Sequence, residues 1–414
     1  MKELKYFNQL SDYTSNKDNF TYPTVSYVEE NKEVYYMEKP EVCILTYTTT
    51  GASQSIKLVN SKQYLDYAKI VDTGEELTVT GTGRLNHTFE NPGEHQVELK
   101  FKDDATTLAS GFSGCSQLTS IPEKLFSNNT AVTDFSYTFF YCTGLTSIPA
   151  NLFSNNTEVT DFSYTFNNCS GLTNIPENLF ANNTAVTNFS YTFQYCSGLT
   201  GSIPANLFSN NTAVTNFSST FANCTGLTNI PDNLFRNNTA VTNFSFTFQN
   251  CSGLTSIPEN LFKYNTAVTS FYWAFSSCSG LTSIPSNLFS NNTAVTDFYG
   301  TFSSCSGLTS IPANLFSNNT AVTTFYNTFA GCSGLTGSIP ANLFKYNTAV
   351  TSFYGTFNNC SGLTGNTPTD TDGTPIYNRS GEGKDGYAVV SAYSGCFRNC
   401  TGLTDYDSIP EDWK

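Results

Sequence analysis

Hydrophobic and polar positions recur along this chain with a period of 27 residues. The step is 28 residues in two places, because a glycine, Gly201 or Gly337, is inserted into the sequence GLTSIP. One unit reads CSGLTSIPANLFSNNTAVTDFSYTFxx, and nine complete copies run from Cys115 to Asn359. Partial copies follow. Self-similarity at such a period is typical of a solenoid, in which each unit stacks on the next.

Within a unit, the apolar columns stay constant while many polar columns vary. The constant apolar columns predict the buried face, which in one coil consists of Cys142, Leu145, Ile148, Leu152, Phe153, Val159, Phe162 and Phe166. One coil cannot bury so many large side chains by itself, whereas stacked coils cover one another and form a continuous core. At about 4.8 Å per coil, the nine copies span on the order of 45 Å if neighbouring coils pair as parallel strands.

The local elements of a coil are short. Residues 145–148 show period-two character and stop at Pro149, which predicts a short strand that ends where an amide donor is missing. A second short strand is predicted at 159–162. Residues 163–169 fit one helical or 3₁₀ turn, because Phe162, Phe166 and Cys169 are three or four residues apart. The Asn-Asn-Thr segment in each coil predicts a turn.

The repeat has a family likeness. The segment VTDFSYTFFYCTGLTSIP, at 132–149, resembles the BspA-like leucine-rich repeats of bacterial surface proteins, including the surface-protein repeats of mycoplasmas. The likeness rests on the core F-x-x-C-x-x-L-x-x-I-P, although the unit here is longer than is usual in that family. The resemblance implies a right-handed leucine-rich-type solenoid and a role in adhesion or partner binding.

A different texture precedes the repeats. Residues 41–110 contain alternating or β-branched runs separated by glycine and asparagine turns, which predicts a small all-β domain. Its stretch HTFENPGEHQVELKF, at 87–101, resembles the last hairpin of an immunoglobulin-like or PKD-like module. We expect this domain also to cap the first coil, since an open solenoid end exposes apolar side chains and unpaired strand edges.

The remaining regions divide the chain further. Residues 1–40 are similar to short N-terminal segments of Bacteroides phage and prophage virion proteins, which implies an extended or hairpin attachment segment. The solenoid itself is predicted over 111–364. Residues 365–395 are rich in Gly, Pro and Asp and predict an inserted loop. Residues 396–414 are interpreted as a last partial repeat and a C-terminal cap.

Location and partners are expectations from the same sequence. No secretory signal is visible at the start of the chain. We therefore expect a virion-associated or extracellular protein of the phage-tail kind, with a bacterial cell-surface adhesin of the BspA-like type as the alternative. The expected partner is a protein or glycan on a bacterial surface, or another virion protein, and oligomerisation is compatible with the sequence.

The charge distribution excludes other classes of partner. The formal net charge is −14 and charged residues make up 13% of the chain. A nucleic-acid-binding surface needs clustered Lys and Arg to neutralise phosphates, so no nucleic-acid ligand is expected. No apolar run approaches the ~20 residues that span a bilayer, and no membrane insertion is expected.

Ten of the thirteen cysteines, from Cys115 to Cys360, follow the spacing of the repeat. Their parallel arrangement in adjacent coils disfavours disulfides, so we predict a reduced, buried column of small hydrophobic side chains. Cys396, which replaces a threonine of the repeat, is expected to be exposed. The segment Asp370-Thr-Asp372-Gly373 starts like a calcium loop but lacks the later ligands, so an Asp-Gly turn is expected. No metal and no cofactor are predicted.

Catalysis has little support in the sequence. His87 and His95 are the two histidines, and neither lies in a nucleophile motif. Paired acids that hydrolyse glycosides need carboxyl groups ~5–10 Å apart, a spacing that Asp134 and Asp161 could reach across one coil. Their column, which includes Asp297, changes freely to Asn, Ser and Thr, which favours solvated strand positions. We predict a non-enzymatic protein, with a glycan-active enzyme as the weakest alternative.

The informative variation follows the first Phe of each F-x-x-x-F segment. One column reads Tyr137, Tyr164, Tyr191, Ser219, Phe246, Trp273, Gly300, Asn327 and Gly355. The column before it changes from Ser in the first five coils to Tyr272, Tyr299, Tyr326 and Tyr354. If these side chains project outward, the aromatic ones form a candidate binding face for sugar rings or a protein partner. The alternative is lateral packing between solenoid copies, or partial burial.

Overall fold

A computed structural model describes residues 42–380 and 384–414 of the chain. The chain divides into two compact units, Met1–Cys43 and Ile44–Lys414, and the repeats belong to the second. The predicted attachment segment, 1–40, lies outside the described residues. Among the residues described, no helix has the length and apolar content needed to cross a membrane.

Short strands precede the first coil, as the alternating runs predict. They are β1 (Cys43–Thr49), β2 (Gln54–Val59), β3 (Leu65–Ile70), β4 (Leu85–Phe89) and β5 (Gly93–Phe101), with a 3₁₀ turn at Lys62–Tyr64. β2 pairs antiparallel with β4, and β3 pairs antiparallel with β5. Their inward residues are fully buried, so this region has a core of its own. Its likeness to an immunoglobulin-like or PKD-like module stays a prediction.

The β-rich region covers the open end of the solenoid. Strand β6 (Leu118–Ser120), from the first coil, pairs antiparallel with β1 and completes a sheet of order β3-β5-β1-β6. The thiol of Cys115 donates to the Leu58 carbonyl at 3.4 Å, and the Asn129 amide donates to the Lys102 carbonyl at 2.8 Å. Backbone groups that an end coil would expose therefore have partners.

The strand predicted at 145–148 is wrong for most coils. Only Thr146 pairs across coils, through the Thr173 amide at 3.3 Å, because the turn before Leu145 and the proline after Ile148 leave no second donor in register. The two coils with an inserted glycine have one more residue and do form paired strands. These parallel pairs are β7 (Gly201–Ser202) with β8 (Leu227–Asn229), and β9 (Gly337–Ser338) with β10 (Leu363–Thr364).

The second predicted strand, 159–162, is reduced to a single bridging residue per coil. A column of parallel bridges runs through the whole stack, from the segment before the first coil to the C-terminal region. Its members are Thr107, Asp134, Asp161, Asn188, Asn216, Asn243, Ser270, Asp297, Thr324, Ser352 and Ala392. Ten steps of about 4.8 Å give a stack roughly 50 Å long.

The predicted core columns are confirmed. All eight apolar side chains named for the coil of Cys142 are buried, and so are their counterparts in the other coils. Phenylalanine rings in one column stack on their equivalents, as Phe162 does on Phe189 at 5.8 Å between centroids. Neighbouring columns meet at a tilt, as Phe153 does with Phe162 at 4.7 Å. Offset and tilted ring contacts of this kind add to the stability gained by burial.

Two further columns, of Asn and Thr, are buried although they are polar. The Asn156 amide donates to the carbonyls of Phe126 and Asn129 in the preceding coil, at 3.1 and 2.8 Å. The Thr165 hydroxyl approaches two carbonyls within 3.0 Å, and in the cysteine column the Cys169 thiol donates to another carbonyl at 3.0 Å. These bonds recur along the stack. Each is a second hydrogen bond to a carbonyl that already accepts a backbone amide, and a typical bond contributes about 0.5–1.5 kcal/mol net.

The insertion at 365–395 ends the asparagine column. Arg379, from the 3₁₀ turn Ile376–Arg379, donates to the carbonyls of Asn347 and Phe344 at 3.2 and 3.1 Å, as the asparagine of a further coil would. Its Nε donates to the buried carboxylate of Asp370 at 2.9 Å. The guanidinium therefore replaces the missing coil as hydrogen-bond donor, and the pairing with Asp370 offsets the cost of burying its charge.

The last residues close the aromatic columns in the same way. The 3₁₀ turns Tyr406–Ser408 and Glu411–Trp413 place the fully buried Trp413 against Tyr393, with centroids 5.0 Å apart. Cys396 is buried, so the expectation that it is exposed is wrong. It occupies the column of Thr165, and that column lies inside the coil because its hydroxyls bond buried carbonyls.

Candidate functional site

The F-x-x-x-F segment builds the candidate site from an unusual backbone. Successive amides alternate between two kinds of acceptor: Tyr164 donates to Ser190 of the next coil at 3.0 Å, whereas Thr165 donates back to Phe162 at 3.2 Å. The same alternation continues to Cys169. Every second amide thus donates to the next coil, and within this alternation two residues per coil adopt a left-handed conformation, with φ of 57° at Tyr164 and 62° at Asn168.

The variable column identified in the sequence is the first of these left-handed positions. All nine members have φ between 52° and 60°, whatever their side chain. Glycine adopts this conformation without strain and asparagine tolerates it, while bulky L-residues pay roughly 1 kcal/mol or more. Gly300, Asn327 and Gly355 therefore adopt the left-handed conformation at little cost, whereas the aromatic members of the column are strained in it.

The second left-handed column carries tyrosines that the sequence reasoning missed. Tyr141 and Tyr195 have φ of 61° and are 50% and 46% exposed. The other members from the second coil onward are Asn168, Asn223, Asn250, Ser277, Ser304, Gly331 and Asn359. The signal was available, because a Tyr in a column otherwise filled by Asn, Ser and Gly stands out once the coils are aligned.

The upstream ladder consists of Tyr137, Tyr164 and Tyr191. Their rings stack nearly parallel, with centroids 4.4 and 4.3 Å apart and interplanar angles of 7°. Tyr137 is 37% exposed and the other two are half-buried. Burial, followed by the neighbouring Tyr191 and Tyr137, raises the pKa of Tyr164. The ring faces cover one another, so the edges and hydroxyl groups form the outer surface.

The downstream ladder consists of Tyr272, Tyr299, Tyr326 and Tyr354. Tyr299, Tyr326 and Tyr354 stack at 4.2 and 4.6 Å, and Tyr272 meets Tyr299 at 4.8 Å with a tilt of 36°. None of the four has a positive φ. Tyr354 is 38% exposed and the other three are half-buried. Burial and the adjacent Tyr326 raise the pKa of Tyr299 to about 12.

Around Phe246 and Trp273, the tyrosines shift from the left-handed column to the column that precedes it in sequence. Trp273 lies beside Tyr272 and Tyr299, with ring centroids 6.3 and 5.9 Å away. A Cβ added to Gly300 would lie 2.7 Å from the Trp273 ring, closer than real Cβ contacts allow. In the coils after Trp273, the left-handed column therefore has space only for small residues.

The nine residues predicted as a binding face thus lie in two ladders joined by Phe246 and Trp273. The structure leaves Tyr137 and Tyr354 exposed and the others half-buried. They are outside the core.

The acidic column does not resemble a hydrolytic pair. Asp134 and Asp161 each accept the amide two residues ahead, at 2.7 and 2.6 Å, so each carboxylate caps its own turn. Asp297 accepts the Tyr299 amide at 2.6 Å, and burial raises its pKa above the usual range. These half-buried carboxylates occupy the bridging strand position of each coil, as the sequence suggested, and also cap the turn that follows it.

The two histidines line a pocket of about 270 Å³ in the β-rich region. His95 stacks on Phe89 at 3.8 Å and bonds to Thr49 and to the Asn91 carbonyl, both at 3.1 Å. His87 meets the same Phe89 ring edge-on at 4.6 Å. Within residues 42–380 and 384–414, no group of three or more His, Cys, Asp or Glu side chains could hold a metal ion.

The thiol column is equally unsuited to reactive chemistry. The cysteines from Cys115 to Cys400 are not joined by disulfides, and burial raises the pKa of Cys142 and Cys278 to about 12. A thiol with so high a pKa is protonated at neutral pH and is a poor nucleophile and metal ligand. The column acts as a set of hydrogen-bond donors between coils.

Two solved structures are among those similar to this chain. The Drosophila Toll chain in the Toll–Spätzle complex is 20% identical, with 57% of this chain and 37% of that chain covered and a TM-score of 0.30. The TLR13 chain in the TLR13–ssRNA13 complex is 10% identical, with 68% and 54% covered and a TM-score of 0.20. The protein therefore spans about a third of the first chain's length and about half of the second's. No curated protein sequence is significantly similar.

A family profile gives the stronger match. It covers residues 106–234 and 215–342, which together exceed half of the chain and include most of the coils. These are the coils whose stacked Phe, Asn, Thr and Cys columns form the solenoid described above. The protein therefore belongs to the family described as Mycoplasma protein of unknown function, DUF285.

Proposed function

We propose that this is a non-enzymatic recognition protein. It binds a protein partner through the upstream ladder and the other aromatic residues of the left-handed columns. The proposal rests on the backbone conformation of seven aromatic residues that lie outside the core. Those residues, all with positive φ, are Tyr137, Tyr141, Tyr164, Tyr191, Tyr195, Phe246 and Trp273. Asn or Gly in their places would relieve strain, as other coils demonstrate, so selection for binding accounts for rings at these sites.

The stacking favours a protein over a sugar ligand. A sugar ring packs on the open face of an aromatic side chain, and here most faces are covered by the next ring at 4.2–4.6 Å. What remains accessible is a row of ring edges and hydroxyl groups. Tyrosine edges provide contact area and hydrogen bonds at little cost in side-chain entropy, which suits a protein interface.

We propose a phage-like particle as the biological setting. The similarity of residues 1–40 to Bacteroides phage segments supports display on a phage-like particle through residues 1–110, with the solenoid contacting a bacterial surface or another virion protein. The alternative is a BspA-like cell-surface adhesin. Density-gradient purification of virions and of cell envelopes, followed by immunodetection, separates the two: co-purification with envelopes alone contradicts the virion assignment.

Binding is tested with the full chain and a triple variant, Tyr137→Asn/Tyr164→Asn/Tyr191→Asn. Asparagine is native to the same left-handed columns, so we expect the variant to keep its thermal unfolding temperature. Capture of protease-sensitive ligand from virion and envelope fractions should fall at least tenfold. The matched control is Asn168→Ser, a change at a left-handed position without a ring.

Two results would contradict the proposal. Equal capture by the parent chain and the triple variant would show that the upstream ladder does not bind. Capture that survives protease but is lost after glycosidase treatment would show that the ligand is a glycan and not a protein.

A further inference from the structure

A second surface lies in the turn that follows the Leu-Phe pair of each coil. In most coils this turn reads Ser-Asn or Ala-Asn, and the asparagine amide donates to a carbonyl of the preceding coil. The bonds from Asn155, Asn182 and Asn237 measure 3.1, 2.9 and 2.8 Å. This outer asparagine column therefore ties neighbouring coils together at the solvent-facing turn.

Two coils give up that bond. They carry Lys263-Tyr264 and Lys345-Tyr346, and the coil before the first of them carries Arg236 where others have Ser or Ala. A tyrosine lacks the amide donor, so each replacement forgoes one hydrogen bond between coils. As in the left-handed columns, an aromatic residue occupies a position where asparagine would stabilise the coil better.

The charged groups of this turn lie on the tyrosine rings. Arg236 and Lys263 approach the Tyr264 ring, with the guanidinium carbon and the ammonium nitrogen 5.3 and 5.7 Å from its centroid. The Lys345 ammonium lies 5.3 Å from the Tyr346 centroid. Arg236, Lys263 and Tyr346 are exposed, Tyr346 by 49%.

None of these three cations forms an ion pair with a described residue, although the protein has an excess of acids. Cations that do pair with acids among the described residues include Lys100, Arg379, Lys384 and Lys414. They lie in the β-rich region and at the C-terminal end. The turn thus presents positive charge that the described part of the chain leaves uncompensated.

We propose that this basic–aromatic strip, composed of Arg236, Lys263, Tyr264, Lys345 and Tyr346, binds an acidic polysaccharide. The strip runs along the stack axis across five coils, or four steps of about 4.8 Å and roughly 20 Å, with Ser290 and Ser317 at the two coils between Lys263 and Lys345. A linear chain that repeats a ring and an anion matches such a line, because anions pair with the cations, while Tyr346, 49% exposed with one cation beside its ring, offers ring surface to a sugar. Three cations are too few to hold a nucleic-acid duplex against salt.

The overall charge sets the expected conditions. A protein of net charge −14 repels a polyanion at long range, so attraction acts only over short distances. The screening length is about 8 Å at physiological salt, which shortens the reach of the distant acids as well. Binding is therefore moderate in affinity and weakens as salt replaces the local ion pairs.

The test measures binding of the full chain to three acidic oligosaccharides: a uronate, a sulfated and a sialylated one. Each is paired with its neutralised form, by esterification or removal of the anionic group. The variant Arg236→Ser/Lys263→Ser/Lys345→Ser should raise the Kd for the bound probe at least tenfold. Tyr264→Asn/Tyr346→Asn, which restores the repeat, should also weaken binding while raising the unfolding temperature.

The control is Lys102→Ser, which removes an exposed charge outside the strip and should leave binding unchanged. Absence of binding to all three acidic probes, or equal binding to a probe and its neutralised form, overturns the proposal. So does tighter binding of polyglutamate or of single-stranded DNA than of any saccharide. The upstream triple tyrosine variant should bind the saccharide normally, so this proposal and the proposed protein interface fail independently.

Discussion

The upstream and downstream ladders place tyrosine rings on the same side of the coil but differ in backbone conformation. Upstream, Tyr137, Tyr164 and Tyr191 are left-handed and follow serine in the chain. Downstream, the tyrosines occupy the preceding position at ordinary φ, and Gly300 and its column fill the left-handed place. Ring spacing is almost the same in both, at 4.2–4.8 Å.

The comparison separates rings that stabilise the fold from rings that strain it. Stacking contributes about 0.5–1.5 kcal/mol per pair in either ladder. Downstream, that gain has no backbone penalty, so stability alone accounts for the tyrosines. Upstream, a penalty of roughly 1 kcal/mol per residue cancels much of the gain, so the rings need another reason to be there.

The largest expected effect comes from forcing the upstream arrangement on the downstream region. Gly300→Tyr should lower the free energy of unfolding by about 2–4 kcal/mol, because its Cβ meets the Trp273 ring and the left-handed strain is added. Ser219→Tyr, in the same column beside Tyr191, should change it by less than ~1 kcal/mol, since stacking offsets strain. Denaturant unfolding measures both. In a Trp273→Gly background most of the Gly300→Tyr penalty should vanish, and a penalty that persists contradicts the steric explanation.

An intermediate effect is expected from removing one ring of each ladder. Tyr299→Ser should cost about 1 kcal/mol, because stacking is lost and no strain is relieved. Tyr164→Asn should stay within about 0.5 kcal/mol of the parent chain, since the loss of stacking and the relief of strain cancel. Equal losses at the two sites would show that the left-handed backbone does not strain the tyrosine.

The smallest effect is a pH dependence at the centre of the downstream ladder. The pKa of Tyr299 rises from 10.0 to about 12 on folding, so the folded state holds the phenolic proton more tightly than the unfolded state. Stability from this group is complete below pH 10 and is lost as the pH rises towards 12. Tyr299→Phe should therefore show a shallower decline of unfolding temperature between those values, and an unchanged slope would contradict the shift.

Sequence reasoning identified the core of the coil and the site columns but not their backbone. The apolar columns were readable because each is constant in every coil, as at Phe162. Asn156 and Thr165 are also nearly constant, and this constancy marks burial that their polarity concealed. Left-handed geometry was harder to see, because tyrosine rarely adopts it, and the glycines of the same column were the only hint. The Arg379 cap had no signal, since a single arginine replaces an asparagine from outside the repeat.

The buried asparagine column makes the coils interchangeable. Every rung donates backwards through the same amide, beginning at the Lys102 carbonyl and ending where Arg379 meets Asn347. Unequal recombination between such similar 27-residue units would add or delete a coil without interrupting this row of amide-to-carbonyl bonds. The ends are specified once, and the number of coils between them is free to change. Lineages carrying this gene can therefore vary the length of both surfaces while inheriting the same two ends.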